Sequence, residues 1–307
     1  MNSWVELLEE QKQNWSLAGQ NYNGLKSVKE KLFQFEGFVM KVQFNPERIR
    51  SSAAKVDKQS IARRACFLCA ENRPKEQNGI LLENGFQILV NPFPIFKQHF
   101  TIVHQEHTNQ QFDTYIPQFL ELAKLMSGHS VFYNGPKCGA SAPDHMHFQA
   151  GENGFMPVEE EFSALKTVSK KLLSGKVNVW AANNYLRKMV VIEEKEKNEV
   201  EKQIRKFFHQ LKQLQPMEDE PLLNAIANYA DGSYRVFLFP RKAHRPSQFF
   251  AEGEEQLLIS PASVDFGGVF ITPREEDFNK IKAEDIADIF RQVTLSDEEF
   301  EKAVSVF

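Results

Sequence analysis

The segment His145-Met-His-Phe-Gln149 holds the residues best suited to chemistry in this chain. Read as a strand, it alternates its side chains, so His145, His147 and Gln149 share one face while Met146 and Phe148 share the other. Three polar, ligand-capable groups in a row, backed by apolar packing, are costly unless their face lines a site. A polar, exposed edge strand is the plainer alternative. His147 and Gln149 are the candidates for chemistry on that face. The loop before them, Asn134-Gly-Pro-Lys-Cys-Gly-Ala-Ser-Ala-Pro-Asp144, is rich in small residues, which let backbone N–H groups approach a phosphate. Asn134 and Ser141 are its candidates for phosphate contacts.

Cys66-Phe-Leu-Cys69 is the second signal. A CxxC has metal, redox and accidental readings. Redox chemistry usually sets it at a helix start after a strand, whereas here it follows Arg63-Arg64 with no clear strand before it. A structural zinc needs two further ligands, and His107 and His145 are the natural ones. His99 and His104 either compete for that role or are ordinary surface histidines, and Cys138 reads as a small loop residue. Arg241, Lys242, His244 and Arg245 form a basic cluster. It is either a solvated loop or a holder of phosphate or sugar phosphate, with Arg241 the candidate contact.

These residues need a frame. Ser3 to Gln13 reads as a helix, with Ser3 and Glu6 at capping-box spacing and Trp4, Leu7 and Leu8 as its apolar stripe. Ile88 to Val90 reads as a strand stopped by Asn91-Pro92, and Phe100 to Val103 as a second. Phe112 to Met126 fits an amphipathic helix, and Val131 to Tyr133 and His145 to Gln149 two more strands. Ser163 to Leu173 reads as a helix. Val190 to Ile192 follows as a strand, and Glu193 to Leu214 as a long charged scaffold helix. Strands at Tyr234 to Phe239 and Val269 to Thr272 come next, then helices, the last opening at Ser296 with Glu299 as its capping box. His99 to His107 leading into Phe112 echoes Gly268 to Glu276 leading into Phe278, which hints at a duplicated unit.

Composition sets the outer limits. The chain has 307 residues, enough for one large or two smaller cores. Its 27 Phe point to a core packed with aromatic rings. A net charge of -4 argues against a nucleic-acid or anionic-membrane partner. The acidic N-terminal segment lacks the basic start and apolar run of a signal peptide, and no stretch reaches the roughly 20 apolar residues of a membrane span. Three cysteines are too few for a disulfide scaffold, so a reduced, cytoplasmic protein is expected.

Together these motifs resemble the histidine-triad superfamily, in the branch of galactose-1-phosphate uridylyltransferase, diadenosine tetraphosphate phosphorylase and the GDP-hexose phosphorylases. The hydrolases of that superfamily carry a third histidine where this chain has Gln149, as the transferase branch does. Asn91-Pro-Phe-Pro-Ile-Phe-Lys-Gln-His-Phe-Thr-Ile-Val103 looks like the family's entry to the nucleotide site. Phe132-Tyr-Asn134 and Gly139-Ala-Ser141 look like its phosphate loop. Tyr234 to Arg241 and Ser260 to Gly268 look most like the GDP-hexose phosphorylases. The uridylyltransferase motif reads His-Pro-His-Gly-Gln, and Met146 and Phe148 depart from it, which points away from uridylyl transfer to galactose 1-phosphate.

The resemblance implies an α+β fold of two histidine-triad-like lobes, each an antiparallel sheet with flanking helices. Residues 1–175 would form the catalytic lobe with the zinc site, and residues 176–307 the second. It implies a structural zinc on Cys66, Cys69, His107 and His145. It also implies transfer or phosphorolysis through a nucleotidyl-histidine at His147. The substrates implied are a nucleoside diphosphate sugar, with guanine favoured, or a dinucleoside polyphosphate, together with phosphate or a sugar phosphate. Gln149 can donate an N–H to a phosphoryl oxygen but cannot act as an acid, which suits a leaving group that departs as a stable anion. Hydrolysis, a turnover-free nucleotide-binding protein and a metal-only scaffold are the rivals. Oligomeric state is left open, with a homodimer as one option.

Overall fold

Thirteen strands organise the described residues of the computed structural model, 3–48 and 58–307. In chain order they are β1 Lys29–Phe35, β2 Phe38–Phe44, β3 Gly79–Leu81, β4 Phe86–Val90, β5 His99–His104, β6 His129–Asn134 and β7 His147–Glu152. Then follow β8 Lys170–Leu173, β9 Asn178–Ala182, β10 Met189–Glu194, β11 Leu223–Ala230, β12 Ser233–Pro240 and β13 Val269–Thr272. Ten of them form one sheet in the order β3-β4-β5-β7-β6-β11-β12-β10-β9-β8, antiparallel throughout. Strands β1, β2 and β13 make a small second sheet, with β13 parallel to β2.

The large sheet is a duplication. Each half runs strand, strand, strand, helix, strand, strand, and the fifth strand inserts between the third and the fourth. The helices are Phe112–Leu125 and Lys197–Leu214. The halves join where β6 meets β11, from Asn134↔Asn224 to Val131↔Ala227. The two expected lobes are therefore halves of one continuous sheet. The second half-sheet starts at β8, which pairs with β9, rather than after residue 175.

Two apolar layers sandwich this sheet. On one face the two long helices, the N-terminal helices Ser3–Asn14 and Ser16–Gly24, and the last helix bury Phe112, Phe119, Phe148, Ile204 and Phe207. On the other face the small sheet and the helices Val158–Leu165 and Ala283–Val293 bury Met40, Phe162, Phe237, Phe270 and Phe290. Aromatic rings fill both layers, as the phenylalanine count led one to expect.

Several sequence expectations need correction. The helix expected over Ser163 to Leu173 stops at Leu165, and Lys170–Leu173 is a strand. The long helix starts at Lys197, because Glu193 and Glu194 close β10. The true counterpart of β5 is β10. The echoing segment near Val269 lies in the small sheet, so its similarity to the His99 region is local. Ser296 does cap the last helix, accepting from Glu299 N at 3.2 Å. No helix of the described residues is long and apolar enough to cross a membrane.

Candidate active site and metal centre

His147 opens β7, and its surroundings follow from where two strands part. Pairing between β6 and β7 ends at Phe132↔Gln149, while β5 stays paired with β7 as far as Val103↔His147. Gln110 fills the gap. Its Oε1 accepts from His147 N at 2.8 Å, and its Nε2 donates to the carbonyls of Asn134 and His147, each at 3.0 Å. His145 lies before the strand, in a turn closed by His145 N on Ala142 O at 3.1 Å. The alternation argument thus holds for His147 and Gln149 but does not include His145.

His147 Nδ1 sits 2.8 Å from the His145 carbonyl. A carbonyl only accepts, so Nδ1 carries the proton and Nε2 keeps its lone pair. Burial lowers the ring's pKa to about 4, which keeps it neutral near pH 7. Two residues on, Gln149 Oε1 lies 3.0 Å from His99 Nε2, and Ile95 N donates to His99 Nδ1 at 3.1 Å. His99 is fully buried, against the expectation of a metal ligand or a surface residue. His104 is half-buried and receives Glu106 N at its Nδ1.

Both functional side chains face a cleft with two compartments that share Arg48, Ser141 and Gln149. The larger, about 430 Å³, is walled by Trp15, Leu17, Phe67, Leu68 and Phe93, with His147 at its edge. That volume lies in the usual range for small-molecule sites. The smaller, about 70 Å³, is polar, lined by Asn134, the loop Gly139–Ser141, His244, Arg245 and Asp265. Asn134 Oδ1 already accepts from Asn224 and Ser263, so its amide N–H groups are what can reach a ligand. The backbone N–H groups of Gly139, Ala140 and Ser141 donate to no acceptor among the described residues. Gly139, at φ +92°, admits no side chain: a Cβ there would stand 2.5 Å from that of Ala262.

Arg241 does not line this cleft. It is fully buried, and its guanidinium donates to Asn224 Oδ1 and to the carbonyls of Pro261, Ala243 and His244 at 2.7–3.1 Å. Such spending of a charge on carbonyls is a brace for the loop, and the loop presents His244 and Arg245 to the cleft. Burial, with Arg245 and Arg241 close by, lowers His244 to about 3, so it is neutral.

Cys66, Cys69, His107 and His145 converge, with their ligand atoms all within 4.8 Å of one another. Cys66 Sγ lies 3.4 Å and Cys69 Sγ 3.6 Å from His145 Nδ1, and Cys69 Sγ lies 3.2 Å from His107 Nδ1. A tetrahedron with Zn–S of about 2.3 Å and Zn–N of about 2.0 Å has edges of about 3.3–3.8 Å, so the spacing fits a metal. His145 Nε2 meets the His104 carbonyl at 2.8 Å, which leaves the Nδ1 lone pair facing the thiols. Asp144 lies 4.0 Å from His107 Nε2 and pairs with Arg64 at 2.5 Å. Burial opposes ionisation of Cys66, yet the His145 bond holds its thiol down at about 6. The CxxC follows the helix Lys58–Arg63 and precedes a single 3-10 turn, which is not the redox arrangement.

The structure thus brings together His147, Gln149, Asn134 and Ser141, and separately the four metal-ligand candidates. Sequence reasoning missed Gln110, Arg48, Trp15, Phe67 and Asp265. No local pattern marks them, because tertiary packing brings Arg48, Trp15, Phe67 and Asp265 to the cleft and Gln110 to the backbone of His147.

Two family models match the chain in succession: a domain of unknown function, DUF4922, over residues 7–152, and the GDPGP1-like C-terminal domain over residues 157–306. No curated protein sequence matches it. Among solved structures, yeast Ap4A phosphorylase Apa2 in complex with Ap4A superposes with a TM-score of 0.56 at 14% identity, covering 93% of this chain and 97% of that one. The AMP complex of the same yeast protein gives 0.55 at 15% identity, over 91% and 96%. At these identities the likeness is one of fold. With the GDPGP1-like match over residues 157–306, the chain is similar to the nucleotidyltransferase and phosphorylase branch of the histidine-triad superfamily.

Proposed function

We propose that the protein moves a nucleotidyl group from a nucleoside diphosphate hexose, GDP-hexose first, to inorganic phosphate through a covalent adduct on His147. The observation that carries this reading is the bond from His147 Nδ1 to the His145 carbonyl, which leaves a neutral ring with Nε2 free at the cleft. In the first step Nε2 bonds to the α-phosphorus, and the P–O bond to hexose 1-phosphate breaks. The ring becomes cationic, keeps its Nδ1 proton and donates it to the same carbonyl. In the second step a phosphate oxygen bonds to that phosphorus, the P–N bond breaks, and a nucleoside diphosphate leaves. Neither step needs a proton from Gln149, whose amide stabilises the charged phosphoryl oxygens.

Arg48, the loop N–H groups, Asn134 and Ser141 hold phosphates, while Trp15 and Phe67 flank the nucleobase. The GDPGP1-like half supports the GDP-hexose donor, and the fold shared with a phosphorylase supports phosphate as acceptor. The likeness to yeast Ap4A phosphorylase favours a second reading, phosphorolysis of a dinucleoside polyphosphate by the same two steps. Cys66, Cys69, His107 and His145 hold a structural zinc in either case. Four protein ligands would leave such an ion no open position, so these residues would use it to fasten the CxxC turn to the entry of β7.

The test is incubation with phosphate and a panel of GDP-, UDP- and ADP-hexoses and diadenosine tetraphosphate. Nucleoside diphosphate release that requires phosphate and disappears in His147→Ala supports the proposal and names the donor. Turnover only with hexose 1-phosphate makes the protein a transferase. No turnover with either acceptor, from folded and metal-loaded protein, leaves a nucleotide-binding protein.

A further inference from the structure

An amide side chain has two ends, and only one of them can help a phosphoryl transfer. Gln149 Oε1 would repel a phosphoryl oxygen, whereas its NH2 would bind one, so the rotamer of this amide decides whether the residue works. The protein contains a device that decides it. Ile95 N is a backbone donor of fixed direction, and it meets His99 Nδ1 at 3.1 Å. Nδ1 is therefore an acceptor, and in a neutral ring the proton sits on Nε2. That Nε2–H points at Gln149 across 3.0 Å and demands an oxygen. The NH2 group is left facing the cleft, without a protein partner among the described residues.

The surroundings hold the ring in place. His99 is fully buried, with Phe96 packed edge-on at 5.1 Å and Phe132 at 6.2 Å. Tyr22 donates to the His99 carbonyl at 2.8 Å, and Asn21 to that of Pro92 at 2.7 Å, so the helix Ser16–Gly24 fastens both ends of the turn that carries Ile95. Glu152 accepts from Lys97 N and Gln98 N, tying the turn to β7 itself. Gly151 makes room for the Phe96 ring, since a Cβ there would fall 2.3 Å from it. Burial and nearby Arg48 lower the His99 pKa to about 3, in keeping with one proton on the ring.

We propose that His99 is a positioning residue: its Nε2–H, directed by the Ile95 backbone, holds Gln149 Oε1 and so presents the Gln149 NH2 to the phosphoryl group at His147. The consequence for turnover rests on the function proposed above, but the orientation itself does not. Two measurements test it together. Nitrogen-15 NMR of the full-length protein reads the His99 tautomer without substrate. A neutral Nε2–H ring from pH 5 to 8 is expected, and an Nδ1–H ring overturns the proposal whatever the enzyme's substrate.

The second measurement is a double-mutant cycle on the rate of nucleotidylation of His147, read by mass. His99→Phe is expected to slow it about 10²-fold, with KM changed less than about threefold. His99→Gln, which keeps an N–H near the same point, restores it to within about tenfold. In a Gln149→Ala background His99→Phe costs less than about twofold, because there is no amide left to orient. An equal loss in both backgrounds, from variants that melt cooperatively, makes His99 merely structural and sinks the idea. If the parent protein is nucleotidylated by no donor, the proposed reaction fails, and the tautomer alone decides the case of His99.

Discussion

Strands β7 and β12 occupy equivalent places in the two halves of the sheet, and on the same face they carry opposite chemistry. The face turned from the long helices shows His147 and Gln149 on β7, but Phe237 and Phe239 on β12. Phe237 packs edge-on to Phe162 at 5.7 Å, and Phe239 lies 5.4 Å from Phe266. Burying such rings stabilises by ~1.5–3 kcal/mol each, whereas a buried imidazole or amide is costly unless its polar atoms are bonded. The first half meets that cost with the His145 carbonyl and His99, then leaves one lone pair and one NH2 group unspent. One half of the duplicated scaffold can hold a reactive, incompletely paired face because the other half is filled and sealed.

The strongest way to break this comparison is to exchange the roles. His147→Ala should lower phosphorolysis about 10⁴-fold or more and abolish the covalent adduct, as expected for loss of a nucleophile. Phe237→His, in the equivalent strand, should create no activity and restore none to His147→Ala. Activity surviving in His147→Ala above about one hundredth of the parent rate would remove the nucleophile from the account.

Next in size is the candidate metal cluster, whose four residues belong to the first half alone. Cys69→Ser, or prolonged treatment with a strong chelator, should lower Tm on the order of 10 °C, since a structural metal contributes directly to folding. Hydrogen exchange should then speed up around Cys66, His107 and the entry of β7 while β10 to β12 stay protected. Uniform loss of protection across both halves would mean that the cluster staples the whole sheet. An unchanged Tm would mean that the cluster holds no metal.

Phe237→Ala addresses the sealed half. The cavity should cost ~3–5 kcal/mol by urea unfolding, with kcat of the folded protein within about threefold of the parent. A fall in kcat larger than the fall in stability explains would show the halves to be coupled in function.

How much of this was legible in the sequence follows from range. His147, Gln149 and the CxxC could be found because strand alternation and ligand spacing are local rules, and so could Ser296, whose cap spans three residues. Strand β11, Leu-Asn-Ala-Ile-Ala-Asn-Tyr-Ala, escaped because it is rich in alanine and asparagine and becomes a strand only by pairing between β6 and β12. The duplication was sought in the wrong segment, since strand order in the sheet has no sequence signature. Arg241 sits in a basic run that looks ready for phosphate, and only the four oxygens around it reveal a brace. His99 reads from sequence as a competing metal ligand or a surface histidine for the same reason: its partners lie on the backbone at Ile95 and on a neighbouring strand.

The finest test of the division lies at the seam, where the second half reaches over the first half's site. Asp265, in the short helix Ser263–Phe266, is buried and lines the polar compartment while accepting from Ala262 N at 2.8 Å. Burial raises its carboxyl to about 7, against the pull of these bonds and of Arg241. Between pH 4 and 7 the folded chain thus holds a proton that the unfolded chain has released. The Asp265 contribution to stability then falls as pH rises through that window, by at most about 1.4 kcal/mol per pH unit, against the opposite slope from the buried, neutral His99, His147 and His244. Asp265→Asn should remove this contribution and make the slope measured by urea unfolding at pH 5, 6 and 7 more positive, and leave turnover within about threefold at pH 8. A slope unchanged by the substitution would place the buried proton elsewhere, with Glu220, raised to about 7 beneath Tyr133 by its own burial, as the group to substitute next. A slope shifted in that direction with lost turnover would instead show that the seam, and not the first half alone, builds the phosphate pocket.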